Sequence, residues 1–225
     1  MNDTMVAEDL LNPAEVRILA VLAEKEALTP DNYPLSLNAL TNGCNQLSSR
    51  DPVMSISEPE VQETLQRLQR IKLVTEVQQA GARVPKYEHR MRLKWTLEQD
   101  KLAILTVLML RGTQTAGEIR ARCGRLHDFG SVSEVEAGLQ FLIDKYPPLV
   151  ARLARTPGSK EARYAHLLSG SEAIEAAEAA AATGTPLPSG GRNDRLAQLE
   201  EEVAGLREEM ARLSEQFAEF RKQFD

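Results

Sequence analysis

Much is scarce in this 225-residue chain, and each scarcity excludes a class. Two cysteines, Cys44 and Cys123, cannot build a disulfide framework. Aromatic residues make up only 4%, too few for a base-stacking platform. No run of about 18 apolar residues occurs, and the acidic start "MNDTMVAEDL" is unlike a signal peptide, so a cytoplasmic protein without membrane association is expected. HxxxH, HExxH and CxxC spacings are missing, as are GxSxG, GxGxxG and the phosphate-binding loop. No metal, no cofactor and no enzymatic activity are therefore expected.

What is present is an internal repeat. "VRILAVL" at 16–22 matches "LAILTVL" at 102–108, and "LTNGCNQL" at 40–47 matches "IRARCGRL" at 119–126. "SEPEVQETLQRL" at 57–68 matches "SVSEVEAGLQFL" at 131–142, and "KYEHRM" at 86–91 matches "RYAHLL" at 163–168. The blocks keep their order while their offsets vary, so insertions fall in the connections between them.

Each copy reads as three helices and a two-stranded hairpin. Asn12 before Pro13 and Thr96 before Gln99 are the expected caps of the two first helices. Ser57-x-x-Glu60 and Ser131-x-x-Glu134 are capping-box patterns ahead of Val61, Leu65, Leu68 and their twins Val135, Leu139, Leu142. Next the period drops to 2, with Tyr87, His89, Met91 and Leu93 alternating against Glu88, Arg90, Arg92 and Lys94. Gly81 and Pro157-Gly158 supply hairpin turns. The fold class expected is mainly α with small β-hairpin wings: two tandem winged helix-turn-helix domains, at 1–95 and 96–168.

The tail differs. Residues 169–191 are an Ala-rich segment followed by a Thr/Pro/Ser/Gly linker, and 192–225 read as a coiled-coil helix. Leu196, Leu199, Val203, Leu206, Met210, Leu213, Phe217 and Phe220 continue an unbroken 3,4 alternation. Self-association through this stripe is expected. A parallel dimer, an antiparallel pair and a return onto the body all suit the pattern.

Because Cys44 and Cys123 occupy the same place in the repeat, they read as packed thiols and not nucleophiles. Polar residues that the copies do not share are where recognition could reside. "NQLSSRD" at 45–51 falls where a helix-turn-helix has its turn, which fits ordinary turn chemistry or a contact surface for phosphates and base edges. Asn45, Gln46 and Arg50 in that turn, Arg67 and Arg70 on the third helix, and Arg83, Lys86, Arg90 and Arg92 on the wing form the candidate nucleic-acid contacts, with duplex DNA as the partner. Glu58, Glu60 and Glu63 oppose phosphate at the entry of that helix, and Glu134, Glu136 and Asp144 do so in the second copy. DNA contact is thus expected to favour the first domain. The alternative is a protein-interaction module that uses the winged helices and the coiled coil without DNA.

The strings "TPDNYPLSLNAL", "CNQLSSRDPVMSISEPEVQETLQRL", "GARVPKYEHR", "LRGTQTAGEIRARCGRLHDF" and "EARYAHL" resemble the YceH-type family of uncharacterised bacterial proteins, across roughly residues 11–168. The resemblance implies tandem winged helices and brings no catalytic residues.

Overall fold

The computed structural model describes residues 10–78, 84–153 and 161–170. The first copy runs α1 (Pro13–Leu28), β1 (Leu35–Ser36), α2 (Leu37–Cys44), α3 (Glu58–Arg70), β2 (Val74–Val77) and β3 (Lys86–His89). After a short helix, α4 (Met91–Trp95), the same order returns as α5 (Gln99–Arg111), β4 (Gln114–Thr115), α6 (Ala116–Cys123), α7 (Val132–Ile143), β5 (Val150–Arg152) and β6 (Arg163–His166). The described part is thus mainly helical with two small antiparallel sheets, ordered β1-β3-β2 and β4-β6-β5. Their registers correspond: Leu35 faces Tyr87 in one sheet and Gln114 faces Tyr164 in the other.

Local chemistry starts the helices. Asn12 accepts the Glu15 N–H at 2.9 Å while the Glu15 carboxylate accepts the Asn12 N–H at 2.8 Å, with Pro13 in the first turn. Ser57 and Glu60 close the same box on α3. On α7 the box is half built: Ser131 accepts the Glu134 N–H, but the Glu134 carboxylate takes the Gly130 N–H instead. The short strands β1 and β4, too brief to show a period, run straight into helices capped by Ser36 and Thr115.

Two expectations are corrected. Thr96 does not cap α5; it adopts a left-handed conformation, φ 49°, that closes α4, and Glu98 stands at the α5 N-cap with its carboxylate on Lys101 and not on the backbone N–H groups of the first turn. The alternation through Lys94 is not strand either. Pairing stops at His89, and the Lys94 N–H bonds the Arg90 carbonyl as in a helix. Met91 is fully buried but Leu93 is 71% exposed, so the apparent period of 2 does not continue in three dimensions.

The core is one continuous cluster fed by both copies. In α1 every residue from Glu15 to Glu24 is buried, and in α5 every residue from Leu102 to Leu110. Helices covered all round belong in an interior, and these two pack on each other. Ile18, Leu19, Leu22, Ile104, Leu105 and Leu108 are fully buried, each worth on the order of 2 kcal/mol. The Leu11 N–H reaches the Leu168 carbonyl at 2.8 Å, joining the outer ends of the two copies. The described residues all fall within one compact unit.

Candidate nucleic-acid interface

The two sulfurs sit in matching places. Cys44 ends α2, Cys123 ends α6, and both are 0% exposed. Burial pushes each thiol up to about 12, leaving almost no thiolate near neutrality. Among the described residues no group of three His, Cys, Asp or Glu is placed to hold a metal, and no helix is long and apolar enough to cross a membrane.

Asn45, Gln46 and Arg50 of the first copy's turn bond inward, while Leu47, Ser48, Ser49 and Asp51 are exposed. Asn45 uses its whole amide on one backbone residue, donating to the Ile56 carbonyl at 2.8 Å and accepting the Ile56 N–H at 2.7 Å. Arg50, only 6% exposed, meets both Glu24 carboxylate oxygens, at 2.7 and 3.1 Å, and also donates to the Gly43 carbonyl. Gln46 accepts from Arg50 at 2.9 Å and from Lys25 at 3.4 Å. Burial works to raise the Glu24 carboxyl, but Arg50 and Lys25 outweigh it and hold it below the usual range. Arg67 pairs with the buried Glu15 and donates to the Leu10 carbonyl. Arg92 pairs with Glu26 at 3.1 Å and donates to Gln99. Arg90 pairs with Glu88 at 3.0 Å and donates to Thr75 at 2.9 Å.

Four of the seven cations expected to face DNA, Arg50, Arg67, Arg90 and Arg92, are thus already paired with carboxylates of the protein. The physical reason lies on α1, whose Glu15, Glu24 and Glu26 each capture an arginine from a later element. Weighing cations only against acids on their own helix or strand hides this. The clue in the sequence was the set of charged residues, Glu15, Arg17, Glu24, Lys25 and Glu26, embedded in a helix otherwise apolar from Val16 to Ala23. Of the remaining candidates, Arg70 is exposed in the last turn of α3, Lys86 is half-buried on β3, and Arg83 lies outside the described residues. Leu196 to Phe220 also lie outside them.

The second copy presents its cations outward. Arg120 is exposed and donates to the carbonyls of Phe129 and Gly130, both at 3.0 Å, neutral acceptors that leave its charge unbalanced. Arg122 and Arg125 are exposed, and no carboxylate among the described residues pairs with either. Arg111, half-buried at the end of α5, was not among the sequence candidates. Beside this basic side, α7 exposes Glu134 and Glu136 along its length and Asp144 at its C-cap. It also exposes Phe141, whose ring lies 5.3 Å from the Lys101 ammonium and 5.1 Å from that of Lys145.

A family model described as "Protein of unknown function, DUF480" matches residues 11–159. A UPF0502 protein from Herminiimonas arsenicoxydans is 66% identical over 86% of this chain and 82% of its own length. One from Janthinobacterium sp. (strain Marseille) is 68% identical over 84% of this chain and 80% of its own. A third, from Azoarcus sp. (strain BH72), is 53% identical over 90% of each.

Proposed function

The chain belongs to the DUF480 family of proteins of unknown function, and we propose that it is a tandem winged-helix protein that binds the phosphate backbone of duplex DNA. Helix, short strand, two helices and a hairpin, occurring twice, support the tandem winged-helix reading. The observation that carries the DNA reading is the trio Arg120, Arg122 and Arg125, exposed on α6 and the turn after it without a carboxylate partner among the described residues. The second copy therefore leads the contact, with Arg70 and the first hairpin as supporting cations. The acidic entry of both third helices argues for positioning on phosphates over reading of base edges. Self-association through 192–225 belongs to the same proposal, since a dimer would double the phosphate contacts.

Fluorescence anisotropy with a generic duplex, titrated from low salt upward, tests this. Changing Arg120, Arg122 and Arg125 together to Ala should weaken binding at least about tenfold and flatten the slope of log K against log salt by roughly 2–3. Arg90→Ala with Arg92→Ala should do much less. Absence of binding by the native chain at low salt would remove the reading.

A second reading, a protein-docking module, is favoured by Phe141 at 42% and Tyr146 at 77% exposure beside the acids of α7. Nuclease-insensitive association with a purified partner, abolished by Phe141→Ser and untouched by the triple arginine change, would support it.

A further inference from the structure

Where the two copies meet, positive charge outruns the carboxylates available. Lys25 and Arg50 both rest on Glu24, at 3.4 and 2.7 Å. Behind them the buried Arg17 donates to the carbonyls of Cys44, at 3.1 Å, and Pro52, at 2.6 Å, while its Nε finds no acceptor. The Asp51 N–H bonds the Leu110 carbonyl at 2.8 Å, which lays this cluster against the last turn of α5 and so against Arg111. Helix α5 packs on α6, whose last turn carries the exposed Arg122. Among the described residues, the carboxylates set against both Arg17 and Arg111 are Glu24 and Asp51, while Glu118, one turn before Arg122 on α6, is already engaged by Arg163 at 3.4 Å.

The end of α5 does not explain the excess. A helix C-terminus attracts cations to its free carbonyls, but here three of the last four have donors. The Leu108 carbonyl accepts the Gly112 N–H, the Leu110 carbonyl accepts the Asp51 N–H, and the Arg111 carbonyl accepts the Gln114 amide. Burial lowers the Arg111 pKa most, the charges of Arg122 and Arg50 lower it further, and Glu24 and Asp51 offset only part of this. In the repeat, Arg111 stands where the first copy has Lys25, and Arg122 where it has Gly43. Where the first copy has Glu24, which balances Lys25, the second has Leu110.

We propose that Arg111 and Arg122 hold a phosphoryl group at this junction, the planar forks of two guanidiniums meeting its oxygens while Arg50 and Arg17 supply charge from behind. The phosphate could come from a duplex backbone or from a free phosphate, and the inference rests on the DNA reading only for the first of these sources.

The test follows the arginine Nε–Hε signals of the full chain by NMR during titration with inorganic phosphate and, separately, with a short duplex. Phosphate is expected to move the Arg111 and Arg122 signals saturably, with Arg122→Gln and Arg111→Gln each weakening the effect about tenfold. Arg152→Gln, at an exposed arginine of β5, should leave it unchanged. Saturable phosphate shifts without duplex binding would uphold the site and remove the DNA reading. Duplex binding that is lost in Arg120→Ala and Arg125→Ala, but leaves the Arg111 and Arg122 signals still, with no response to phosphate, would uphold that reading and overturn this site. Silence of both signals toward both ligands in the native chain, where folding is not in question, would also overturn it.

Discussion

The central helices of the two copies have the same place and opposite chemistry. On α1, Glu15, Glu24 and Glu26 reach out to Arg67, to Arg50 and to His89 with Arg92. At the corresponding positions α5 has Lys101, Leu110 and Gly112, and where α1 has the buried Arg17 it has Ala103. The first copy therefore locks its long connection, its third helix and the end of its hairpin with internal ion pairs. At the same sites the second has Lys101, ion-paired only with its near neighbours Glu98 and Asp100 among the described residues, together with Gly112 and the buried Leu110, and it leaves Arg120, Arg122 and Arg125 to solvent. A doubled fold can thus use charge differently in its halves, one for cohesion and the other displayed at the surface.

The sharpest way to break this contrast is to give the first copy the residue of the second. Glu24→Leu leaves Arg50 buried without its carboxylate and should cost about 3–5 kcal/mol in denaturant-induced unfolding, much of it recovered by adding Arg50→Met. If Glu24→Leu alone proves neutral, the locking role assigned to this pair is wrong.

Next in size is a difference between the two histidines of the hairpins. His89 lies 3.2 Å from the Glu26 carboxylate, whereas the Nδ1 of His166 is buried with no partner among the described residues. Burial lowers His166 to about 4 from its ordinary value. Between that value and about 6.5 the unfolded chain binds the proton and the folded chain does not, so stability falls with acidification across this window. The loss should reach roughly 2–3 kcal/mol by pH 4, measured by urea unfolding, and His166→Phe should remove most of the slope. Glu26, held low first by His89 and then by Arg92, works elsewhere: its stabilising pairing is kept above the usual carboxylate range and is lost only as pH falls through its depressed folded value.

The smallest effect sharpens the comparison by volume. A Cβ at Gly43 would lie 2.6 Å from Cγ1 of Val21, a stiff side chain in the tightly packed α1. At Gly124, just past the end of α6, a Cβ would meet nothing within 4 Å. Gly43→Ala should therefore cost about 1–2 kcal/mol and Gly124→Ala stay within about 0.5, read as shifts in unfolding midpoint.

The duplication was legible because apolar spacing and capping residues survive in both copies, as Val61, Leu65 and Leu68 do in Val135, Leu139 and Leu142. Both cysteines were placed correctly for the same reason. Helix α4 was misread because Met91 to Lys94 alternate apolar with basic, and a single turn of helix carries too few residues to reveal its own period. The inward roles of Arg50 and Arg67 were hidden because their partners lie 26 and 52 residues away in sequence, on α1. Short-range charge patterning sees neighbours, and these pairs are made by tertiary packing.

The mutual burial of α1 and α5 has a historical corollary. Each of these helices shields the other's greasy flank, so neither half could be shed by a descendant lineage without baring an oily stripe to water. A fragment carrying one half alone would present that stripe to its neighbours and clump.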